Sequence, residues 1–348
     1  TIKHHSMRTI SLFFILSSIF LATSCKEDAI EPSGNYSVLR LTFPQGDSDY
    51  DNDLKEIHDT YDTYVLYRGI TLPDLSREWT SVGTGGTYYG DDVPEKYRRF
   101  YVDFIKRHVL DNVSVEIAKN ALPVKVYLLH NLRCIPSGES DKPYDPEEYA
   151  KDPETAVSPY FQSNRLDGFD YWAISFRPRE ILDNDRSALR MRRCALVYQF
   201  ILKAWKQGKI VQPEGMMDGL DLETAFSYDH QNPEMNTGSK NHPWKRGFVW
   251  YIYPEFDPAL NRGQFENTST YISYYDGNGR TKLDREDNTY FLNYVKAAMY
   301  YTRTEFFTKY SETKFPIIKE KYELVVKYMK EQYAIDLEGI ANGPAEGE

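Results

Sequence analysis

A catalytic zinc needs about three protein ligands, and two histidines four residues apart on one helical turn supply two of them, with a glutamate beside the first as general base. The chain has no such pair. Beyond residue 25 its histidines are His58, His108, His130, His230 and His242, each isolated in sequence. A metal could be held only by a site assembled from distant parts, such as His230 with His242 and a carboxylate. Lone histidines otherwise read as ordinary surface residues. Nucleophilic chemistry has no better signature: there is no G-x-S-x-G elbow and no P-loop, and the glycines of SVGTGGTYYG read as a flexible turn. Asp218 with Asp221, or Glu255 with Asp257, could form a glycosidase dyad, but an acidic chain holds many such neighbours by chance. YISYYDGNGRTKLD resembles a calcium loop, yet Arg280 and Thr281 stand where an EF-hand needs a ligand and a glycine.

The aromatic load is the stronger compositional signal. Tyrosine supplies 29 residues, and aromatics bunch in GFDYWAISF and GFVWYIYPEF. Core packing accounts for most of them. Trp172, Trp250, Tyr251 and Tyr253 are the candidates for stacking on a sugar face or gripping a peptide side chain, each an apolar body with a polar tip where tryptophan or tyrosine permits.

Elements must position these residues. DNDLKEIHDTYDTYVLYRG predicts a helix with Leu54, Ile57, Tyr61, Tyr64 and Val65 on one face and Gly69 as its stop. VPEKYRRFYVDFIKRHVLDNV predicts a second, with Pro94 near its first turn. VKVYLL (124–129) and DYWAISF (170–176) are dense in β-branched and aromatic residues and predict strands, with a polar, proline-rich loop between them. RRCALVYQFILKAWKQ (192–207) predicts a helix apolar nearly all round, apart from one row holding Gln199 and Lys203, with Asn184 or Asp185 as its cap. An irregular stretch, 211–246, follows. Asn278-Gly279 predicts a hairpin turn. Two closing helices, NTYFLNYVKAAMYYTRTEFFTKY and IIKEKYELVVKYMKEQY, complete the chain, the second with Ile318, Tyr322, Val325 and Met329 in one stripe. No repeat is evident.

The N-terminal residues read as a leader. Met7-Arg8 opens a short basic region, residues 10–22 are apolar, and LATSC matches a lipobox with Cys25 as the lipidated residue. That organisation gives a signal peptide over 1–25, a flexible tether over 26–37, a single domain over 38–340 and a disordered tail over 341–348. No later segment approaches the roughly 20 apolar residues of a spanning helix. Removing residues 1–24 takes away Lys3 and Arg8 and no acid, which moves the net charge from −10 to −12. Such acidity argues against nucleic acid or an anionic lipid surface as partner. With Cys25 lipidated, Cys134 and Cys194 remain; they could pair in an oxidising compartment or sit buried as thiols.

Taken in order, the lipobox, LKEIHDTYDTYV, DDVPEKYRRFYVDFIKRHVL, the strand after ALPVKVYLL, RGFVWYIYP and KYELVVKYMKEQYAIDLEGI resemble the zinc-binding lipoprotein metallopeptidases of Bacteroidetes, a zincin-like family often encoded near outer-membrane glycan-uptake systems. The resemblance implies an α+β, zincin-like single domain: a small mixed sheet packed on a central buried helix, with a helical C-terminal half. In that family the central helix carries His-Glu-Phe-x-His. Here the matching register is Tyr198-Gln199-Phe200-Ile201-Leu202. Tyrosine is a poor zinc ligand, leucine is none, and Gln199 cannot take a proton from water. The family's later glutamate falls near RGQFENTSTYI, with Glu266 close by. The implied protein is a lipid-anchored, cell-surface relative at the outer membrane, without catalysis or cofactor, binding a glycan or peptide for uptake proteins. The alternatives are an active zinc metallopeptidase with displaced ligands and a structural accessory lipoprotein without a ligand.

Overall fold

Proline, glycine and the left-handed backbone punctuate this chain more often than its periodicity suggests. In the computed structural model the described residues are 39–76, 86–183, 186–222, 242–249, 251–252, 266–267, 273–275, 281–283 and 289–345, with only the main chain described in 251–252, 266–267, 273–275, 281–283 and at Thr289. The chain divides into two units, Thr1–Thr42 and Phe43–Glu348. In the first, the described residues 39–42 form no regular element. Among the described residues, every helix and strand lies in the second.

Helix α1, Asp49–Tyr61, begins on a Ser48 capping box with Asp51 and buries Leu54 and Ile57. It does not run on to Gly69. Asp62 takes a left-handed conformation (φ 58°) and donates its N–H to the His58 carbonyl, which closes the helix. Tyr64–Leu66 then forms strand β1, as two aromatic or β-branched residues in succession favour. After a single turn, α2 (Leu72–Leu75), strand β2 covers Gly86–Asp91. The stretch read as a flexible turn is therefore in part a strand. A Cβ on Gly86 would lie 2.5 Å from the Ile135 carbonyl oxygen, so close pairing, rather than flexibility, explains that glycine. Helix α3, Glu95–Asp103, follows Pro94, loosens into a π-helical segment at Phe104–Val109 and ends in a 3-10 turn. Helix α4 is Val115–Ala121.

Strand β3, Lys125–Pro136, is the spine of a five-stranded mixed sheet. It is twice as long as its apolar run predicts, because its second half is held by an antiparallel partner: Gly86 pairs Pro136 and Tyr88 pairs Cys134 in β2. Its first half pairs β1 in parallel, Tyr64 opposite Lys125. The polar loop contains one short helix, α5 (Pro146–Lys151), capped by Asp145. The two-residue β4 (Asn164–Arg165) then lies antiparallel to β5 (Tyr171–Phe176). Strand β5 runs parallel to β3, from Lys125 opposite Tyr171 to His130 opposite Phe176.

Helix α6, Pro178–Leu182, turns the chain into α7, Arg186–Lys206. Its cap candidates, Asn184 and Asp185, lie outside the described residues. Helix α7 runs back along β5. Its Arg192 guanidinium lies 5.1 Å from the Phe176 ring, and its Phe200 ring stacks 5.5 Å from Trp172. Eight helical residues advance roughly 12 Å and four strand residues roughly 13 Å, so one helix face and one sheet face stay in step. Val126 and Leu128 of β3, and Trp172, Ile174 and Phe176 of β5, share a core with Cys194, Val197, Phe200, Ile201 and Ala204 of α7. The opposite sheet face is also covered, with Tyr171 donating to the Leu75 carbonyl at 2.6 Å and Arg165 held 3.9 Å from the Tyr88 ring. Strands buried on both faces read as continuous apolar runs, which is how β5 reads.

Short antiparallel pairs β6–β7 (Tyr251–Ile252, Glu266–Asn267) and β8–β9 (Ser273–Tyr275, Thr281–Leu283) come next. The second is the predicted hairpin, with its Asn278-Gly279 turn outside the described residues. The first closing helix is two: α8 (Thr289–Tyr300) and α9 (Arg303–Lys309), divided where Thr302 and Glu305 form a capping box. Helix α10, Pro316–Tyr333, buries the predicted stripe of Ile318, Tyr322, Val325 and Met329 completely. Helix α11, Leu337–Asn342, starts on Asp336. The fold is α+β, a small mixed sheet against a central buried helix with a helical C-terminal half. Among the described residues no helix is long and apolar enough to cross a membrane. Cys134 and Cys194 are both thiols rather than halves of a disulfide, and Cys194 donates to the Met299 carbonyl at 3.1 Å.

Tyr101 of α3 joins the two central strands to the helical layer. Its buried hydroxyl donates to the Leu129 carbonyl at 3.0 Å and accepts the Phe176 N–H at 3.1 Å. Tyr101→Phe removes both bonds without changing the ring, so a loss of about 1–3 kcal/mol is expected, read from urea denaturation. A loss within experimental error would show that the hydroxyl holds nothing.

Candidate functional site

The C-terminal half of α7 borders a cavity of about 470 Å³. Four of its side chains, Gln199, Leu202, Lys203 and Lys206, form one wall. They stand at spacings of three, four and seven residues, a single helix face. Ala121, Leu122, Pro123 and Val124, where α4 ends and β3 begins, form the second wall. Leu122 leaves the helical backbone (ψ 143°) and Pro123 cannot continue it, so the chain turns sharply into the sheet. Leu166, Gly168, Phe169 and Asp170, with Trp172 behind them, form the third. A Cβ on Gly168 would lie 2.6 Å from the Tyr171 carbonyl oxygen, so only glycine permits this turn to fold back over β5.

Charge is distributed unevenly around the opening. Asp170 is engaged: its carboxylate meets the Lys125 ammonium at 2.9 Å, both largely buried, and the Lys125 N–H donates to the Asp170 carbonyl at 3.0 Å. Lys203 donates to the Ala121 carbonyl at 3.3 Å, capping α4. Lys206 makes no ion pair among the described residues, and the Gln199 side-chain amide has no hydrogen-bond partner among them. Trp172 is 9% exposed and packed on Phe200, whereas Phe169 is 42% exposed. Phe169 is thus the more exposed ring.

Of the positions matched to the metallopeptidase motif, Gln199 and Leu202 reach this cavity and Tyr198 does not. Tyr198 is sealed in the core, 1% exposed, with the Lys296 Nζ of α8 lying 5.4 Å from its ring centroid. Burial pulls the Lys296 ammonium down to about 7. These three side chains do not fit a zinc ion: a carboxamide, an isobutyl group and a buried phenol beside a lysine offer no ligand pair and no base. Glu266 has its main chain paired with Ile252, and Tyr251 with Asn267; their side chains lie outside the described part of the protein. Trp250, Tyr253, His230, Cys25, Glu255 and Asp257 lie outside the described residues altogether.

The remaining histidines are dispersed. His58 stacks on Tyr64 at 4.1 Å. His130, on β3 opposite Asp91, is held below its usual range by burial. His242 is buried and accepts the Trp244 N–H at 3.2 Å, starting a 3-10 turn at Pro243–Arg246. Asp221 serves Arg246, whose guanidinium donates to its carbonyl at 2.9 Å. Among the described residues no three His, Cys, Asp or Glu side chains gather as a metal site would require. Sequence reasoning missed Phe169, Leu122, Lys203 and Lys206 as lining groups. The polar row on an otherwise apolar helix was the available signal.

No family model and no curated protein matches the chain. Among solved structures it is similar to a crystal structure described as a "putative zinc-binding metallo-peptidase" from Bacteroides caccae, at 14% identity and a TM-score of 0.41, covering 85% of this chain and 92% of that one. Agreement of that degree carries no residue's role across.

The N-terminal half of α7 is clamped by buried arginines. Arg192 meets Glu180 at 2.6 Å. Arg193 donates to the Ile340 and Ala341 carbonyls and to His108 Nδ1, the last at 3.0 Å. Burial first, then the Arg193 and Arg107 charges, pushes His108 down to about 4. A histidine so depressed is neutral in the folded protein, so its contribution is present above the unfolded value near 6.5 and is lost as pH falls through 4. Wild-type stability is expected to fall over that interval by on the order of 2 kcal/mol more than that of His108→Gln, after discounting for partial exposure. Parallel curves in urea melts at stepped pH would refute the coupling.

Proposed function

We propose that this chain is a non-catalytic binding protein on a zincin-like framework, tethered at the cell surface through Cys25, whose cavity beside α7 takes a glycan or peptide for an outer-membrane uptake system. One observation carries the reading. The cavity wall is built by Gln199 and Leu202, the two positions that the family resemblance matches to the general base and the second zinc ligand. In this reading the cleft is kept while the two matched positions facing it, Gln199 and Leu202, carry neither charge nor metal ligand. A carboxamide donates and accepts hydrogen bonds but takes no proton from water, and an isobutyl group only packs. About 470 Å³ lies within the roughly 300–1,000 Å³ usual for ligand sites.

Tether, surface exposure and uptake partners rest on the lipobox and the family resemblance, and the acidic balance supports a partner other than nucleic acid. The test is in two parts. Elemental analysis of purified protein is expected to find zinc far below one equivalent. One tightly held equivalent, lost on His242→Ala, would instead establish a metalloenzyme with displaced ligands. Retention on immobilised peptides or polysaccharides is expected, weakened about tenfold or more by Leu202→Trp, which fills the cavity. Wild-type protein retained by neither would leave a structural accessory role.

A further inference from the structure

We propose that the cavity beside α7 receives the C-terminal residue of a peptide, its apolar side chain entering against Leu202, Phe169 and Trp172 and its carboxylate meeting the lysines at the rim. The inference rests on the binding reading above and narrows it to one chemical class.

The lining decides between sugar and peptide. Leucine, proline, valine and alanine side chains together with the Phe169 and Trp172 rings make the apolar part of the lining the larger one. A sugar brings a hydroxyl on nearly every carbon, and each one buried without a partner costs roughly 1–3 kcal/mol. Gln199 is the neutral polar side chain on the lining, without a hydrogen-bond partner among the described residues, and Asp170 is held by Lys125 at 2.9 Å. One amide can serve one peptide group. It cannot serve a ring of hydroxyls. An aromatic or branched side chain, by contrast, gains about 25 cal/mol for each Å² of apolar surface removed from water.

Charge supplies the second half of the argument. In a chain of net charge −10, both charged residues on the helical wall are lysines, Lys203 and Lys206. Two helix C-termini, those of α4 and α7, also converge here and each contributes about half a negative charge. Lys203 already answers the first through the Ala121 carbonyl at 3.3 Å. With the Asp170–Lys125 pair counted as neutral, two ammonium groups against two half charges leave the rim positive by about one unit, which suits a single carboxylate. The volume fits a single residue with its flanking backbone, and a chain end places an apolar side chain and a carboxylate on adjacent atoms.

Calorimetric titration of the purified chain with N-acetyl-Ala-Phe, its C-terminal amide and a uronic-acid oligosaccharide tests the inference. The free acid is expected to bind about tenfold more tightly than the amide at about 0.05 M salt. That preference should shrink about threefold or more in Lys206→Gln and at about 0.5 M salt, and Leu202→Trp should abolish binding of the acid. Lys206 is exposed and its exchange leaves the α4 cap intact, so folding is preserved. Equal binding of acid and amide, or acid binding that survives Leu202→Trp, overturns the inference. Binding of the uronate without the peptides overturns it while sparing the broader binding reading, and failure of every probe removes both.

Discussion

A helix sealed on nearly every side must find an internal partner for each polar group it carries, because a buried cation or amide left unpaired costs several kcal/mol. Helix α7 is such an element, and the rest of the protein is arranged around that requirement. Arg192 reaches Glu180 of α6, Arg193 reaches the carbonyls that end α11, Cys194 reaches Met299 of α8, and Lys203 reaches the end of α4. Each contact draws a different element onto the helix. Arginine suits the buried half: the planar fork of Arg193 serves two carbonyls and His108 at once, where a lysine would offer a more strongly hydrated point charge. Breaking a buried pair such as Arg192 with Glu180 would cost about 3–5 kcal/mol, although the intact pair adds little over an apolar substitute. Its effect is to fix which face of the helix points where.

That fixed rotation accounts for the cavity. With Arg192 over Phe176 and Phe200 over Trp172, the helix is locked against β5 along its length, and the next turns extend past the first residues of the parallel strands. There the sheet has ended, while the turn at Gly168 and the end of α4 stand to either side. Gln199, Leu202, Lys203 and Lys206 therefore face a gap rather than a neighbour. The cavity is a geometric consequence of a 21-residue helix laid against a six-residue strand.

Much of this was legible in sequence, and the failures have local causes. The apolar surround of α7, the stripe of α10 and the apolar runs of β3 and β5 were visible because burial on one or all faces leaves a period or a run. Tyr64 and Val65 fitted the helical face of α1 by period alone, but a left-handed Asp62 intervened, and no periodicity reports a single residue's φ. The second half of β3 was missed because its partner, β2, lies far earlier in the chain, in a stretch whose glycines suggested a turn. Thr302 and Glu305, by contrast, carry a capping-box pattern that a purely apolar reading overlooked. At the site, the row holding Gln199 and Lys203 was apparent from sequence. Phe169 and Leu122 were not, since nothing in a loop's composition tells which cavity it will close.

The absence of an acid or a histidine at Gln199 and Leu202 also bears on how the cavity keeps its form. A glutamate and two histidines facing a closed space are stabilised by the cation they share. Without one, an ionised carboxylate at a desolvated position raises the energy of the fold or takes up a proton. Gln199 and Leu202 impose no such demand, and Tyr198 contributes its ring to the core beside Lys296. The same wall carries Lys203 and Lys206, and Phe169 is 42% exposed, so the cavity sets basic side chains beside an apolar lining.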